Sequence, residues 1–424
     1  MIMSTEYLSR IVDEKLKLGL ATSGAVLITG PKWCGKTRTA EEISKSFLYM
    51  QDPDYAEAYR LLADTKPSKL LEGENPRLLD EWQVAPVLWN AVRFAVDKRR
   101  EHGLFILTGS VVPPETSEMH TGTGRISRMN MRTMSLFETG ESTGAISLKD
   151  LFDGKKDMFD ENKMSIENIA YILTRGGWPE AVNEKNNKYA LQMVYNYIDA
   201  VSNYDISRID GVERNPDRVH ALLRSIARNT STQANTMTLF KDLISNDEGL
   251  SDKTINDYIT ALKKLYVIED LPAWSPYLRS KRAIRTTAKR HFSDPSIATA
   301  ALRVNSEKLL NDFSSFGYYF ESLCIRDLRI YADSIDGSVY HYRDQTDFEV
   351  DAIIQLRDER WAAVEIKMGA GEVEKAADDL IKFSNNIDTD KMPAPSFLMV
   401  LTATAHAFQL KNGVWVVPVG CLRN

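Results

Sequence analysis

Cysteine is scarce in this sequence: Cys34, Cys324 and Cys421 are the three among 424 residues. That count excludes a disulfide framework and a cysteine-built zinc site. Long apolar runs are absent as well. None reaches the roughly 18 residues that a bilayer span requires, so neither a membrane span nor a membrane partner is expected. The start of the sequence has no basic-then-apolar leader pattern; Tyr7, Leu8, Ile11, Val12 and Leu16 instead mark one face of an amphipathic helix. Positive charge is in deficit, with 53 Lys and Arg against 59 Asp and Glu and a net charge of −6. This excludes a protein that binds nucleic acid over its whole surface. Repeats and low-complexity tracts are missing too. What is present, 43% hydrophobic and 26% charged residues, is an ordinary globular composition in a chain long enough for about two to four domains.

Against that background one octet stands out. Gly30-Pro31-Lys32-Trp33-Cys34-Gly35-Lys36-Thr37 is a complete G-x-x-x-x-G-K-[ST] pattern. It follows a short apolar run, 24–29, that reads as a buried strand, and it opens a segment of helical spacing from Arg38 to Phe47. Strand, loop and helix in that order make the pattern a phosphate-binding loop. The glycines allow successive backbone N–H groups to curl round a phosphate, and the following helix adds its partial positive charge. Gly30, Pro31, Lys32, Trp33, Cys34, Gly35, Lys36, Thr37 and Arg38 are therefore the candidate nucleotide-binding residues. Lys36 is placed to reach the β- and γ-phosphates, and the Thr37 hydroxyl to bind Mg²⁺. ATP and Mg²⁺ are the cofactors this implies. A thiol at Cys34 inside such a loop suits a reducing compartment, so a cytoplasmic location is expected.

Three further pieces follow in order. Arg77-Leu78-Leu79-Asp80-Glu81 is an apolar strand ending in two carboxylates, Asp80 to hold Mg²⁺ through water and Glu81 to polarise the attacking water. Leu104 to Ser110 is a second buried strand, and Ser110 at its carboxyl end is expected beside the phosphates as a sensor. Gly124-Arg125-Ile126-Ser127-Arg128 offers Arg125 or Arg128 to stabilise transition-state charge, in cis or across a subunit boundary. The bland alternative for both is a surface arginine. Strands near 25–29, 76–80 and 104–108 alternate with helical segments at 38–47 and 86–101, which predicts an α/β fold with a parallel sheet.

The segments GPKWCGKT, LLDEWQ, LTGS and HTGTGRISRMNMRTMSLFE (His120 to Glu138) resemble the AAA-type bacterial and archaeal ATPases that carry a C-terminal domain of unknown function. RGGWPEA (Arg175 to Ala181), FSDPSIA (Phe292 to Ala298), FESLCIRDL (Phe320 to Leu328) and EVDAII…AAVEIKMG (Glu349 to Gly369) extend that resemblance nearly end to end. The expected organisation is a P-loop AAA-type core over 1–150, a helical lid over 151–212, a winged helix-turn-helix over 213–300 and a restriction-endonuclease-like α/β domain over 301–424. The polar passage 146–164 reads as a boundary, Gly176-Gly177-Trp178-Pro179 as a tight turn, and Arg175 as either a second nucleotide sensor or a turn-packing residue.

In the winged-helix segment Ser251-Asp252 caps a third helix. Ile255, Tyr258, Ile259, Leu262 and Leu265 face inward, and Lys253, Asn256, Thr260 and Lys263 outward as in a recognition helix. Residues 213–290 hold fourteen Lys or Arg against nine Asp or Glu, and Arg279, Lys281, Arg282, Arg285, Lys289 and Arg290 cluster in twelve residues without an acid. They are placed on a wing that would track DNA phosphates, or simply on a solvated face. Asp252 and Asp257 on the outer face would oppose phosphate contact.

Farther on, Asp351, Glu365 and Lys367 form D…E-x-K on two adjacent strands, and Glu321 adds a carboxylate from the preceding helix. This looks like the restriction-endonuclease-like core, whose carboxylates hold Mg²⁺ and whose lysine orients the attacking water. The opposing reading is a retained fold whose charged residues pair with one another. The leading function is an ATP-binding and ATP-hydrolysing switch whose nuclease-like domain acts on or binds nucleic acid with Mg²⁺. The alternative is an ATP-gated protein-interaction module with an inactive nuclease-like domain. Candidate partners are ATP, double-stranded DNA or another nucleic acid, and a protein; an arginine acting in trans would require an oligomer.

Overall fold

The computed structural model describes residues 7–109, 121–156, 158–244, 251–276, 287–346 and 348–424. The chain divides into two compact units, one made of Met1–Thr133, Asp205–Glu213 and Ala261–Tyr266, the other of Met134–Tyr204, Arg214–Thr260 and Val267–Asn424.

The first unit is built on five parallel strands: β1 (Ala25–Thr29), β2 (Ser46–Tyr49), β3 (Arg77–Asp80), β4 (Phe105–Thr108) and β5 (Ile126–Asn130), ordered β2-β3-β4-β1-β5. Burial on both faces explains why β1 reads as an unbroken apolar run. Ala25 and Leu27 pack with Trp82, Trp89 and Phe105, while Val26 and Ile28 pack with Leu16, Ala40 and Ile106. Helix Val12–Thr22 contributes Leu16 and Leu20 to one face; helix Val87–Arg99 contributes Leu88, Trp89, Val92 and Val96 to the other. The helix expected over 38–47 is shorter. It runs Lys36–Glu41, and Phe47 and Tyr49 belong instead to β2, an edge strand where their rings stack on the surface at 6.2 Å. Aromatic residues favour a pleated surface, which here outweighs the helical spacing.

The second unit begins with β6 (Ile146–Ser147) and β7 (Asp160–Glu161). Helices Ile166–Arg175, Pro179–Asn183 and Asn187–Ala200 follow, then Pro216–Arg228, Thr236–Ile244 and Asp252–Lys264. Next come the antiparallel pair β8 (Ile268–Leu271) and β9 (Lys289–Phe292), and the helix Phe313–Ser334. The sheet strands are β10 (Gly337–Arg343), β11 (Glu349–Leu356), β12 (Trp361–Lys367), β13 (Phe397–Thr402), β14 (His406–Gln409) and β15 (Trp415–Pro418). With β7 they form a mixed seven-stranded sheet ordered β10-β11-β12-β13-β15-β14-β7. The polar passage 146–164 is thus woven into this unit, since β7 extends its sheet and β6 pairs with the terminal β16 (Leu422–Arg423).

In the last of these six helices, Asp252–Lys264, and the residue after it, Ile255, Tyr258, Ile259, Leu262 and Leu265 are buried, and Lys253, Asn256, Thr260 and Lys263 are exposed. The basic cluster after it divides. Arg279, Lys281, Arg282 and Arg285 lie outside the described residues, whereas Lys289 and Arg290 start β9. Neither is a free wing charge: Lys289 is 3% exposed, and Arg290 pairs with Asp270 at 3.4 Å.

The tight turn at 176–179 forms as expected, with Gly176 at φ 76° ending its helix and Trp178 buried and bonded to Ser296. Arg175 takes the turn-packing role: its guanidinium grips both carboxylate oxygens of Glu141, at 2.7 and 3.0 Å.

Candidate functional site

In the first unit the sheet delivers its polar side chains to one edge. β1 ends at Thr29 and the chain turns through Gly30 (φ 146°), Trp33 (φ 69°) and Gly35 (φ 98°). At Gly30 a Cβ would come within 2.0 Å of the Met131 carbonyl oxygen, so glycine is required there. Left-handed residues of this kind turn consecutive amides inward to make an anion-binding concavity. The helix that follows has only six residues, so the loop amides rather than a helix dipole supply most of the attraction for phosphate.

Lys36 is buried, and its Nζ donates to the carbonyls of Gly30 (3.0 Å) and Pro31 (2.7 Å), holding the loop curled. Lys32 pairs with Asp205 at 2.6 Å. The Cys34 thiol is fully buried against the Met131 carbonyl, so it is shielded from oxidants. Arg38 turns outward to Glu41 and Glu42.

Beside the loop, the Thr37 hydroxyl donates to Asp80 Oδ1 at 2.7 Å, and Thr108 donates to the same oxygen at 2.6 Å. The register explains the meeting: Asp80 stands opposite Thr108 on β4, and Thr108 opposite Ile28 on β1. Hydroxyl and carboxylate oxygens side by side are the hard donors that Mg²⁺ prefers, so the residues present fit that ion. Glu81, the next residue, has φ 52° and receives a short hydrogen bond from the Gln83 side chain.

Ser110 lies outside the described residues. Thr108 is the polar strand-end residue that reaches Asp80, and its signal was available as the Thr that closes an apolar strand. The two arginines are not brought to the loop within this chain. Arg125 precedes β5 at the opposite edge of the sheet, beside Ala25 and paired with Asp97 at 2.7 Å. Four residues of strand, about 13 Å, separate that edge from Thr29. Arg128 stacks over the Trp89 ring at 5.4 Å.

The second unit holds the other constellation. Asp351 on β11 accepts from the Ile366 amide (2.8 Å) and from Lys367 Nζ (3.1 Å), and Lys367 also contacts Glu365 at 2.7 Å. Glu321, from helix Phe313–Ser334, joins through Lys289, a residue the sequence places on the wing or a solvated face rather than in this site. Lys289 Nζ lies 3.2 Å from Glu321, 3.8 Å from Asp351 and 3.9 Å from Glu349. All four sequence-predicted residues therefore converge, but two ammonium groups stand among the carboxylates.

Electrostatics follow. Burial, reinforced by the Asp351 charge and opposed by Lys367, pushes the Glu365 carboxyl up to about 8. Burial likewise raises Glu321, to about 7. For Asp351, burial is outweighed by Lys367 and Lys289, which hold it below the usual carboxylate range. Burial alone would depress Lys289; Glu321, Asp351 and Glu349 reverse this and keep it a firm cation. No group of three or more His, Cys, Asp or Glu among the described residues is arranged to hold a metal ion. The Mg²⁺ expected of a nuclease-like core does not fit here. A cleft of about 710 Å³ opens onto the cluster, lined by Glu321, Asp351 and Lys367 with Phe313 and Tyr318.

Three family models match successive parts of the chain. Residues 22–140 match a family model described as an AAA domain. Residues 166–308 and 316–422 match two domains of unknown function, DUF8612 and DUF4143. Two uncharacterized proteins, Rv2008c of Mycobacterium tuberculosis and Mb2031c of Mycobacterium bovis, are each 21% identical over 346 residues, 81% of this chain and 70% of theirs. Among solved structures, the Walker-type ATPase PABY2304 of Pyrococcus abyssi is 13% identical, with 68% of this chain and 94% of that one covered at a TM-score of 0.40. The AAA-domain match and the loop geometry together support a P-loop ATPase domain of the AAA type in the N-terminal part of the chain.

Proposed function

We propose that this protein is an ATP-hydrolysing switch. The observation that carries the reading is the convergence of Thr37, Asp80 and Thr108 on one oxygen beside a curled glycine loop. The loop from Gly30 to Thr37 receives the phosphates, and Lys36 exchanges the Gly30 and Pro31 carbonyls for phosphate oxygens. Thr37 and Asp80 would hold Mg²⁺, which neutralises phosphate charge when bound. Glu81 orients a water and accepts its proton as the water oxygen bonds to the γ-phosphorus; the bond to the bridging oxygen breaks, and ADP and phosphate leave. Nucleotide binding and phosphate release by the purified chain test this. Lys36→Ala is expected to lose both, and a Lys36→Ala protein that still turned over ATP would refute it.

For the output, two readings compete: a nuclease-like domain that acts on or binds nucleic acid with Mg²⁺, and an ATP-gated protein-interaction module whose nuclease-like domain is inactive. The lysine-bridged carboxylates favour the second. Plasmid and oligonucleotide DNA are then expected to stay intact with Mg²⁺ or Mn²⁺, with or without ATP, while ATP is consumed. Cleavage lost in an Asp351→Ala/Lys367→Ala protein would establish the nuclease instead.

A further inference from the structure

A nuclease-like core implies a divalent ion among Asp351, Glu365 and Glu321, and the residues present disagree. The disagreement has a specific cause. Lys289 opens β9, and its side chain is 4% exposed. Its ammonium faces carboxylates from two elements, Glu321 on helix Phe313–Ser334 and Asp351 and Glu349 on β11. Taking an ammonium out of water costs several kcal/mol unless carboxylates and hydrogen bonds compensate, so a lysine is held there only where negative charge demands a cation.

Of the other basic groups nearby, Arg343 pairs with Glu349 at 2.9 Å, and the rest leave Glu321 and one oxygen of Asp351 to Lys289. His291, two residues along β9, is fully buried and kept neutral by burial and by the charges of Arg329 and Lys289. His341 on β10 is held at about 4 by burial and the Lys289 charge. Lys367 is engaged from the other side, by Asp351 Oδ2 and Glu365. Lys289 contacts Asp351 through Oδ1. The two oxygens of the central carboxylate are thus divided between two ammonium groups, and a hard divalent ion needs oxygens free at about 2.0–2.6 Å.

We propose that Lys289 is a tethered cation standing where a nuclease-like core would hold its metal, so that the native site takes no divalent ion and removing the ammonium creates one that does. This rests on the reading of the C-terminal unit as nuclease-like but not metal-dependent. It adds the residue responsible and predicts a gain of function from its loss.

The test is Mn²⁺ binding to the full-length chain without nucleotide, followed by electron paramagnetic resonance. Four proteins are compared: wild type, Asp351→Asn, Lys289→Met and Lys289→Met/Asp351→Asn. Lys289→Met is expected to gain one Mn²⁺ site at least tenfold tighter than any in wild type, and adding Asp351→Asn to abolish it. Wild type and Asp351→Asn are expected to bind identically, a comparison that needs no change at Lys289 and so holds even if Lys289→Met fails to fold. A folded Lys289→Met protein with no gain would overturn the proposal, as would a wild-type Mn²⁺ site lost in Asp351→Asn. DNA cleavage by wild type without an Asp351-dependent Mn²⁺ site would sink the interaction-module reading and leave the tethered cation standing.

Discussion

Glu81 holds a left-handed backbone, φ 52° and ψ 43°, which costs a residue with a Cβ about 1–2 kcal/mol. Strain of this kind persists where the surroundings fix it and clusters at functional positions. Glu81→Gly is therefore expected to raise stability by up to about 1 kcal/mol while cutting ATP turnover by about a hundredfold. Urea midpoints and phosphate release on the same preparation check both, and a loss of stability would argue against the strain. Thr108 is a positioning residue, acting through Asp80. Thr108→Val should raise the Mg²⁺ concentration for half-maximal turnover several-fold and leave ATP affinity little changed.

Glu365 gives a pH prediction. Its carboxyl is raised from 4.5 to about 8, so in that window the folded chain binds more protons than the unfolded one. Stability then falls as pH rises from about 4.5 to about 8. Glu365→Gln should flatten this slope in urea titrations at pH 5, 6, 7 and 8. Parallel slopes in the two proteins would count against a proton on Glu365.

At the scale of elements, what could be read from sequence was what is local. The loop Gly30–Thr37, the Asp80–Glu81 strand end and the inward face of the helix Asp252–Lys264 each lie within a dozen or so consecutive residues, and backbone periodicity alone places their side chains. The edge strand β2 was misread because a short amphipathic run does not say which side of a turn it belongs to. Lys289 was misassigned to a solvated wing for a different reason. Its partner Glu321 is 32 residues away and Asp351 is on another strand, so only tertiary packing brings the ammonium in.

The D…E-x-K pair was legible because adjacent strands bring such residues together, whereas the absence of a metal-binding arrangement was not. β12 is anchored by Trp361, fully buried, 5.0 Å from the Trp274 ring and donating to the Pro393 carbonyl. Trp361→Ala should cost about 3–5 kcal/mol, read as a fall in the urea midpoint of the C-terminal unit.

Over the whole molecule, no helix among the described residues is long and apolar enough to cross a membrane. The net charge of −6 leaves any nucleic-acid contact to a local patch. Of the six clustered cations, Lys289 is internal and Arg290 is paired, which takes two charges from the DNA-tracking wing and favours the protein-interaction output. Chemistry is then concentrated at the phosphate loop, where oxygen donors fit Mg²⁺, while the carboxylate cluster carries its own cations. ATP turnover by wild type and Glu81→Gln, with nucleotide binding measured in parallel, tests the central claim most directly. The account predicts hydrolysis by wild type and, for Glu81→Gln, near-normal ATP binding with turnover reduced about a hundredfold. Equal turnover in the two proteins would contradict it.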